Sequence, residues 1–232
     1  MYFLQRYGLD FINLLFPDLC SGCSRSLFQG EKYICTACLY DLPFTDFHLY
    51  ADHPAARLFW GRIPCDSVTA LLYFRKGNSV QQLIHNLKYK GQTELGFTLG
   101  KMLGERIKLS VTCQNTELII PVPLHPKKQR SRGYNQSECI ANGIAAVLGI
   151  PVNTTQLIRK LNTGTQTQKT RYNRFENMQD VFAVNNPGFL AGKSILLVDD
   201  VITTGSTLES CAQILLNSGI SKLSISAVAY AE

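Results

Sequence analysis

The chain has 232 residues, 45% of them hydrophobic and 17% charged, with a formal net charge of +6. That length suits one good-sized core plus a small accessory module, and the composition is that of an ordinary globular protein. No apolar run approaches the roughly 20 residues needed to cross a bilayer, so stable membrane insertion is not expected.

The charge is uneven along the chain. Residues 1–60 hold four Lys/Arg against six Asp/Glu, a balance of −2, while residues 61–232 hold nineteen against eleven, a balance of +8. The larger part is therefore suited to an anionic partner, a phosphate-rich metabolite or a nucleic acid.

The first segment, "MYFLQRYGLDFINLLFPDLC", repeats Phe3, Leu4, Tyr7, Phe11, Leu14 and Leu15 at helical spacing. It carries Arg6 and Asp10 and has no small-residue cleavage site, so an amphipathic helix is expected rather than a signal peptide. Next come Cys20, Cys23, Cys35 and Cys38 as CxxC-x11-CxxC. Two such knuckles suit tetrahedral Zn2+, each pair biting the metal from a tight turn. Two disulfides are the weaker reading without an export signal. Four thiolates complete a closed structural site, which leaves His48 and His53 as expected surface residues. The segment that follows mixes prolines, aromatics and acids without periodicity. We expect three parts: helix and zinc ribbon over 1–45, a connection over 46–65 partly packed through Phe59 and Trp60, and a domain over 66–232.

From Asp66 onward strands alternate with helices. "SVTALLYF" reads as a strand. "NSVQQLIHNLKYKG" has a helical stripe through Val80, Leu83, Ile84 and Leu87, stopped by Gly91, and "ELGFTLGKMLGERIKL" is a helix weakened by its glycines. "ELIIPVP" is a short buried strand. "NQSECIANGIAAVLG" is helical, with Ile140, Ile144, Val147 and Leu148 inward and Gly149 as stop. Residues 162–174, "NTGTQTQKTRYNR", have little to bury before Tyr172 and read as a mobile loop. "SILLVD" is the most buried strand, a helix runs on to Ser218 and Gly219, and "KLSISAVAYA" is the last strand. This alternation implies parallel βαβ units in a layered α/β domain.

In an open parallel sheet, ligands sit beyond the carboxyl ends of the strands. Asp199 and Asp200 fall there, followed by Thr203, Thr204, Gly205, Ser206 and Thr207. Ser206 and Glu209 have the spacing of a capping box for the next helix, whose inward face is Leu208, Cys211, Ala212 and Leu215. Small residues let successive N–H groups face one concave space, and a helix N-terminus adds partial positive charge, a combination that holds phosphate. The acids would repel phosphate, so they face sugar hydroxyls, a divalent cation such as Mg2+, or both. "GFLAGKS" at 188–194 is not a P-loop, because its spacing is one residue short and a strand follows it.

Thirteen residues in register, "ILLVDDVITTGST", resemble the phosphoribosyl-pyrophosphate (PRPP) signature of type I phosphoribosyltransferases. The resemblance implies that Asp199 and Asp200 contact ribose hydroxyls and serve as the catalytic acids. It also implies that Thr203, Thr204, Gly205, Ser206 and Thr207 hold the 5′-phosphate. Two basic segments fit the same reading, since a pyrophosphate leaving group needs cations where charge develops. "PVPLHPKKQRSRGYNQS" carries Lys127, Lys128, Arg130 and Arg132, and "LIRKLNTGTQTQKTRYNRF" supplies a basic loop that could close over the site.

The whole chain resembles the ComF family, which joins a cysteine zinc ribbon to a type I phosphoribosyltransferase domain. The pieces "CSGC…CTAC", "LKYKG", "PVPLH", "RSRGYNQS" and "ILLVDDVITTGSTL" stand in the family's order. By that resemblance His125, Arg130 and Arg132 belong to the pyrophosphate side. The family is linked to natural competence, which implies a cytoplasmic protein that handles incoming single-stranded DNA and has possible protein partners in the competence machinery. Tyr89, Tyr134 and Tyr172 lie beside basic residues and could stack on unpaired bases. Two other functions are open: transfer of phosphoribose to an unidentified base or amine, and sensing of PRPP on behalf of a protein partner.

Overall fold

The computed structural model describes residues 17–110, 115–160 and 181–232. The amphipathic helix expected before Pro17 and the loop expected over 162–174, with Tyr172, lie outside the described residues. The chain order is α1 (Thr36–Tyr40), α2 (Pro54–Arg57), β1 (Ser67–Phe74), α3 (Ser79–Tyr89), α4 (Thr93–Leu109), β2 (Leu118–Pro121) and α5 (Pro126–Arg132). It continues with α6 (Gln136–Leu148), β3 (Leu157–Arg159), β4 (Phe182–Val184), α7 (Pro187–Leu190), β5 (Ser194–Ile202), α8 (Ser206–Asn217) and β6 (Lys222–Ala231).

Four strands form a parallel sheet in the order β1-β6-β5-β2, and β3 and β4 form a separate antiparallel pair. β5 and β6 are the central strands. Both their faces are covered, which is why Ile195 to Val198 run as an unbroken apolar stretch and Leu223 to Tyr230 are buried throughout, Ser224 and Ser226 included. One face packs on α8, through Leu208, Cys211, Ala212 and Leu215. The other packs on α3, α4 and α6. Truncating a fully buried leucine such as Leu197 would cost about 2–5 kcal/mol.

The glycines of α4 are not a weakness. Gly100 lies against the backbone of Ile140 in α6, and Gly143 of α6 lies against Phe97 and Lys101 of α4, so closely that a Cβ on either would collide with main chain. The two helices pack tightly because these positions are bare. The helix propensity lost to glycine is local, whereas the close approach it permits is tertiary. On α6, Ile140 and Ile144 are fully buried as expected, while Val147 and Leu148 are half-buried.

Residues 46–65 do more than connect. Phe47, Ala55, Ala56, Phe59 and Ile63 belong to the same core as β5 and α8, with Phe59 at 0% exposure and Trp60 at 56%. The expectation that His48 and His53 lie on the surface is corrected, since both are buried. His53 Nδ1 accepts from the Ala56 N–H at 3.2 Å, capping α2, and Nε2 donates to the Val68 carbonyl at 2.9 Å. Its ring stacks on Phe47, and burial lowers its pKa. A histidine with both nitrogens satisfied by main chain stands in the core as a neutral polar staple.

The cysteine module is fastened to the helical face. Ser21 donates to Gln92, Asn86 donates to the Ser21 carbonyl, and Phe44 bridges Leu72 at the β1 edge. Among the described residues no helix is long and apolar enough to cross a membrane.

Candidate functional site

Asp199 and Asp200 stand near the carboxyl end of β5, where that strand runs on beyond the end of β2. Successive strand residues point to opposite faces, so the two acids meet different neighbours. Ser137 Oγ donates to Asp199 Oδ1 at 2.9 Å, and the Asp200 N–H donates to the same oxygen at 2.8 Å. Asp200 is 5% exposed; its Oδ2 accepts from Gln136 Nε2 at 3.0 Å and pairs with Lys88 Nζ at 2.9 Å. Burial, reinforced by the neighbouring Asp200 charge, pushes Asp199 up to about 7, against the pull of the Asp200 N–H, Ser137 and Lys88. The pair is therefore set up as one acid held by a cation and one poised near neutrality.

After Ile202 the chain turns through Thr203 and Thr204 to Gly205 at φ 75, and α8 begins at Ser206. The capping box expected from Ser206 and Glu209 is not formed. Gly205 is the cap, no side chain caps the helix, and Glu209 instead pairs with Arg62. The first turn of α8 thus keeps its main-chain donors away from a protein carboxylate, as an anion site requires. Thr204 Oγ1 and Ser206 Oγ are 3.0 Å apart, and Thr203, Thr204 and Thr207 are exposed along the rim.

The turn is braced from below by the segment before β1. A Cβ on Gly205 would lie 3.0 Å from Cε1 and Cζ of Phe59. Arg62 Nη1 donates to the carbonyls of Leu58 at 2.8 Å and Thr204 at 3.0 Å. Nothing local in the sequence ties Phe59 or Arg62 to a loop more than 140 residues away.

Beside the acids lies a pocket of about 320 Å3 lined by Lys88, Tyr89, Gly91, Lys128, Ser131 and Arg132. α3 supplies Lys88 in its last turn, and α5 supplies Lys128, Ser131 and Arg132. Arg132 donates to Gln136 Oε1 and lies over the Tyr89 ring at 5.3 Å. Three cations facing one cavity form an anion pocket. Of the other expected cationic-side residues, His125 caps α5 by accepting from the Lys127 N–H at 3.1 Å, and Arg130 is exposed on α5 and does not line the pocket. Tyr134, considered as a stacking residue, is half-buried and bonds through its hydroxyl to the Leu87 carbonyl, which anchors the end of α3. Tyr89 is 68% exposed and remains available.

Lys88, Gln136 and Ser137 carried no assigned role in the sequence, although "LKYKG" and "RGYNQS" had marked their neighbourhoods. Long polar side chains near a helix end read as solvated until the sheet brings the acids to them.

The four cysteines form a second centre. Their sulfurs all lie within 4.8 Å of one another, with Cys23 and Cys35 Sγ 3.8 Å apart. A tetrahedron of thiolates around zinc at about 2.3 Å puts its corners about 3.8 Å apart. N–H groups of Cys35 and Gly22 point at Cys20 Sγ at 3.2 and 3.4 Å, and the Cys38 N–H points at Cys35 Sγ at 3.4 Å. Burial raises the Cys20 pKa, but these backbone donors outweigh it and bring the thiol to about 7. A Cβ on Gly22 would lie 3.2 Å from Cys38 Sγ, filling the cradle. The four-cysteine cluster fits structural zinc.

Residues 135–232 match the phosphoribosyl transferase domain family. The DNA utilization protein YhgH of Escherichia coli O157:H7 is 29% identical over 210 residues, covering 89% of this chain and 88% of that one. Competence protein F of Haemophilus influenzae is 29% identical over 213 residues, again 89% and 88%. Competence protein ComFC of Bacillus subtilis is 32% identical over 102 residues, 44% of this chain and 39% of that one.

Proposed function

We propose that the chain belongs to the ComF/YhgH family, with a type I phosphoribosyltransferase α/β fold, and that it binds PRPP and serves DNA uptake by handling single-stranded DNA. The carrying observation is the linkage of three pieces: the acid pair, the uncapped Gly205 turn that follows it in the chain, and the Lys88–Lys128–Arg132 pocket, joined to the pair by the contact of Lys88 with Asp200. In this reading the turn over Thr203, Thr204, Gly205, Ser206 and Thr207 takes the 5′-phosphate. Asp199 and Asp200 face the ribose hydroxyls, and the diphosphate enters the cationic pocket beside Arg132. His125 acts by shaping α5, and Arg130 by long-range attraction from its surface. Mg2+ belongs to this reading: Asp199 and Asp200 offer the hard oxygen donors that would hold it, and it would supply charge to neutralise the diphosphate.

The nucleic-acid half rests on charge and on one exposed ring. The +8 balance of residues 61–232, the cationic α5 and Tyr89 under the Arg132 guanidinium make a backbone-binding, base-stacking surface. The names of the relatives, DNA utilization and competence proteins, point the same way. Such work places the protein in the cytoplasm, with partners in the competence machinery.

The test is calorimetric titration of the full chain with PRPP, with and without Mg2+, and of labelled single strands at rising salt. We expect PRPP binding that Asp199→Ala/Asp200→Ala removes, and strand binding that weakens steeply with salt. No binding of strands at low salt overturns the DNA role. Pyrophosphate release stimulated by one member of a nucleobase and amine panel would instead establish an active transferase.

A further inference from the structure

Lys88 serves two places. Its Nζ lies 2.9 Å from Asp200 Oδ2, and its side chain also lines the pocket formed with Lys128 and Arg132. The backbone at this point is held, because Leu87 is fully buried and its carbonyl accepts from Tyr134. The four-carbon stem of a lysine can swing its ammonium about such an anchor. Asp200 is not left bare if the ammonium departs, since Gln136 Nε2 still donates to the same oxygen.

Resting on the PRPP reading, we propose that Lys88 is a transferable counter-ion. It neutralises Asp200 until an anion occupies the cationic pocket. It then moves to that anion and releases the carboxylate to the sugar. A single ammonium faces a competition between one carboxylate and a diphosphate of higher charge, and the diphosphate has the stronger field. A sugar hydroxyl or cation approaching Asp200 Oδ2 meets an oxygen already held by Lys88 and Gln136, and takes up the position of Lys88 there as Lys88 leaves. Filling one half of the cleft therefore readies the other, a coupling between two sub-sites through one side chain. Both acids are consequently kept from standing as an uncompensated charge pair in a partly buried cleft, which would be expensive. The role is one of positioning: Lys88 acts on the sugar through Asp200.

The experiment displaces PRPP from the full chain with inorganic pyrophosphate, in four proteins: wild type, Lys88→Met, Asp200→Asn and the double variant. Melting temperatures check that each is folded. Lys88→Met should weaken pyrophosphate by about tenfold or more, the loss of one charge-assisted contact. Asp200→Asn should tighten pyrophosphate several-fold, because Lys88 no longer has a competing partner. That gain should largely vanish in the Lys88→Met background. An equal gain in both backgrounds means that only the long-range charge of Asp200 was felt, and overturns the transfer. Wild type that binds PRPP but shows no displacement by millimolar pyrophosphate also overturns it, by placing the diphosphate elsewhere. Wild type that binds no PRPP at all overturns the underlying reading instead.

Discussion

Replacing Gly205 by alanine tests how the turn proposed to hold phosphate is built. At φ 75 an L-residue carries the left-handed penalty of about 1–2 kcal/mol. The new Cβ would also sit 3.0 Å from two ring carbons of Phe59, inside the ~3.5–4.0 Å of a comfortable carbon contact. Phe59 is fully buried and has no room to retreat, so overpacking adds roughly 1–3 kcal/mol. The total is ~2–5 kcal/mol, on the order of 4–20 °C in melting temperature for a chain of this size. Gly149 gives the calibration. Its φ is 69 and no atom lies within 4 Å of its would-be Cβ, so Gly149→Ala carries the backbone penalty alone. Thermal melts and PRPP titrations of Gly205→Ala, Gly149→Ala and Gly205→Ala/Phe59→Leu separate the contributions. We expect Gly205→Ala to be the more damaging single change and to lose PRPP affinity, with Phe59→Leu restoring part of its stability. Equal melts for the two alanine variants, with PRPP affinity intact in both, would refute the bracing of the turn by Phe59.

Three further outcomes are expected. Arg62→Ala should move the melting temperature little, since its half-exposed pair with Glu209 is worth about 0–1 kcal/mol, yet weaken PRPP binding by releasing the Thr204 carbonyl; a large melting shift with unchanged affinity would contradict this. The native fold keeps a proton on Asp199 that the unfolded chain has shed between pH 3.8 and about 7, so stability should fall as pH rises through that window. Urea midpoints at pH 5 and pH 8 should show a flatter profile for Asp199→Asn, and an unchanged slope would remove the claim. The four-cysteine cluster should hold one zinc per chain by elemental analysis, and chelation or Cys35→Ser should lower the melting temperature and unfasten the contacts of Ser21 with Gln92 and Asn86; full stability without metal would dismiss a structural role.

Much of the site was legible in sequence because its parts are local. A buried strand, an acid pair and a glycine turn follow one another within about a dozen residues, and strand and helix periods fix which faces they present. The CxxC pairs were legible for the same reason. His48, His53 and Glu209 misled because each was judged by its near neighbours. Their actual partners, Phe47 and Val68 for His53 and Arg62 for Glu209, are set by packing.

The linear order of residues determined the alternation of strands and helices, the spacing of the four cysteines and the presence of a glycine turn beside two acids, since each depends on backbone periods spanning a few residues. Only the folded sheet decided what those acids touch. Stacking β5 between β6 and β2 brings Lys88, Gln136 and Ser137 to Asp199 and Asp200, and the packing of residues 47–63 puts Phe59 beneath Gly205. Contacts of that kind join positions 60 to 150 residues apart, and no local rule of chain geometry reaches so far.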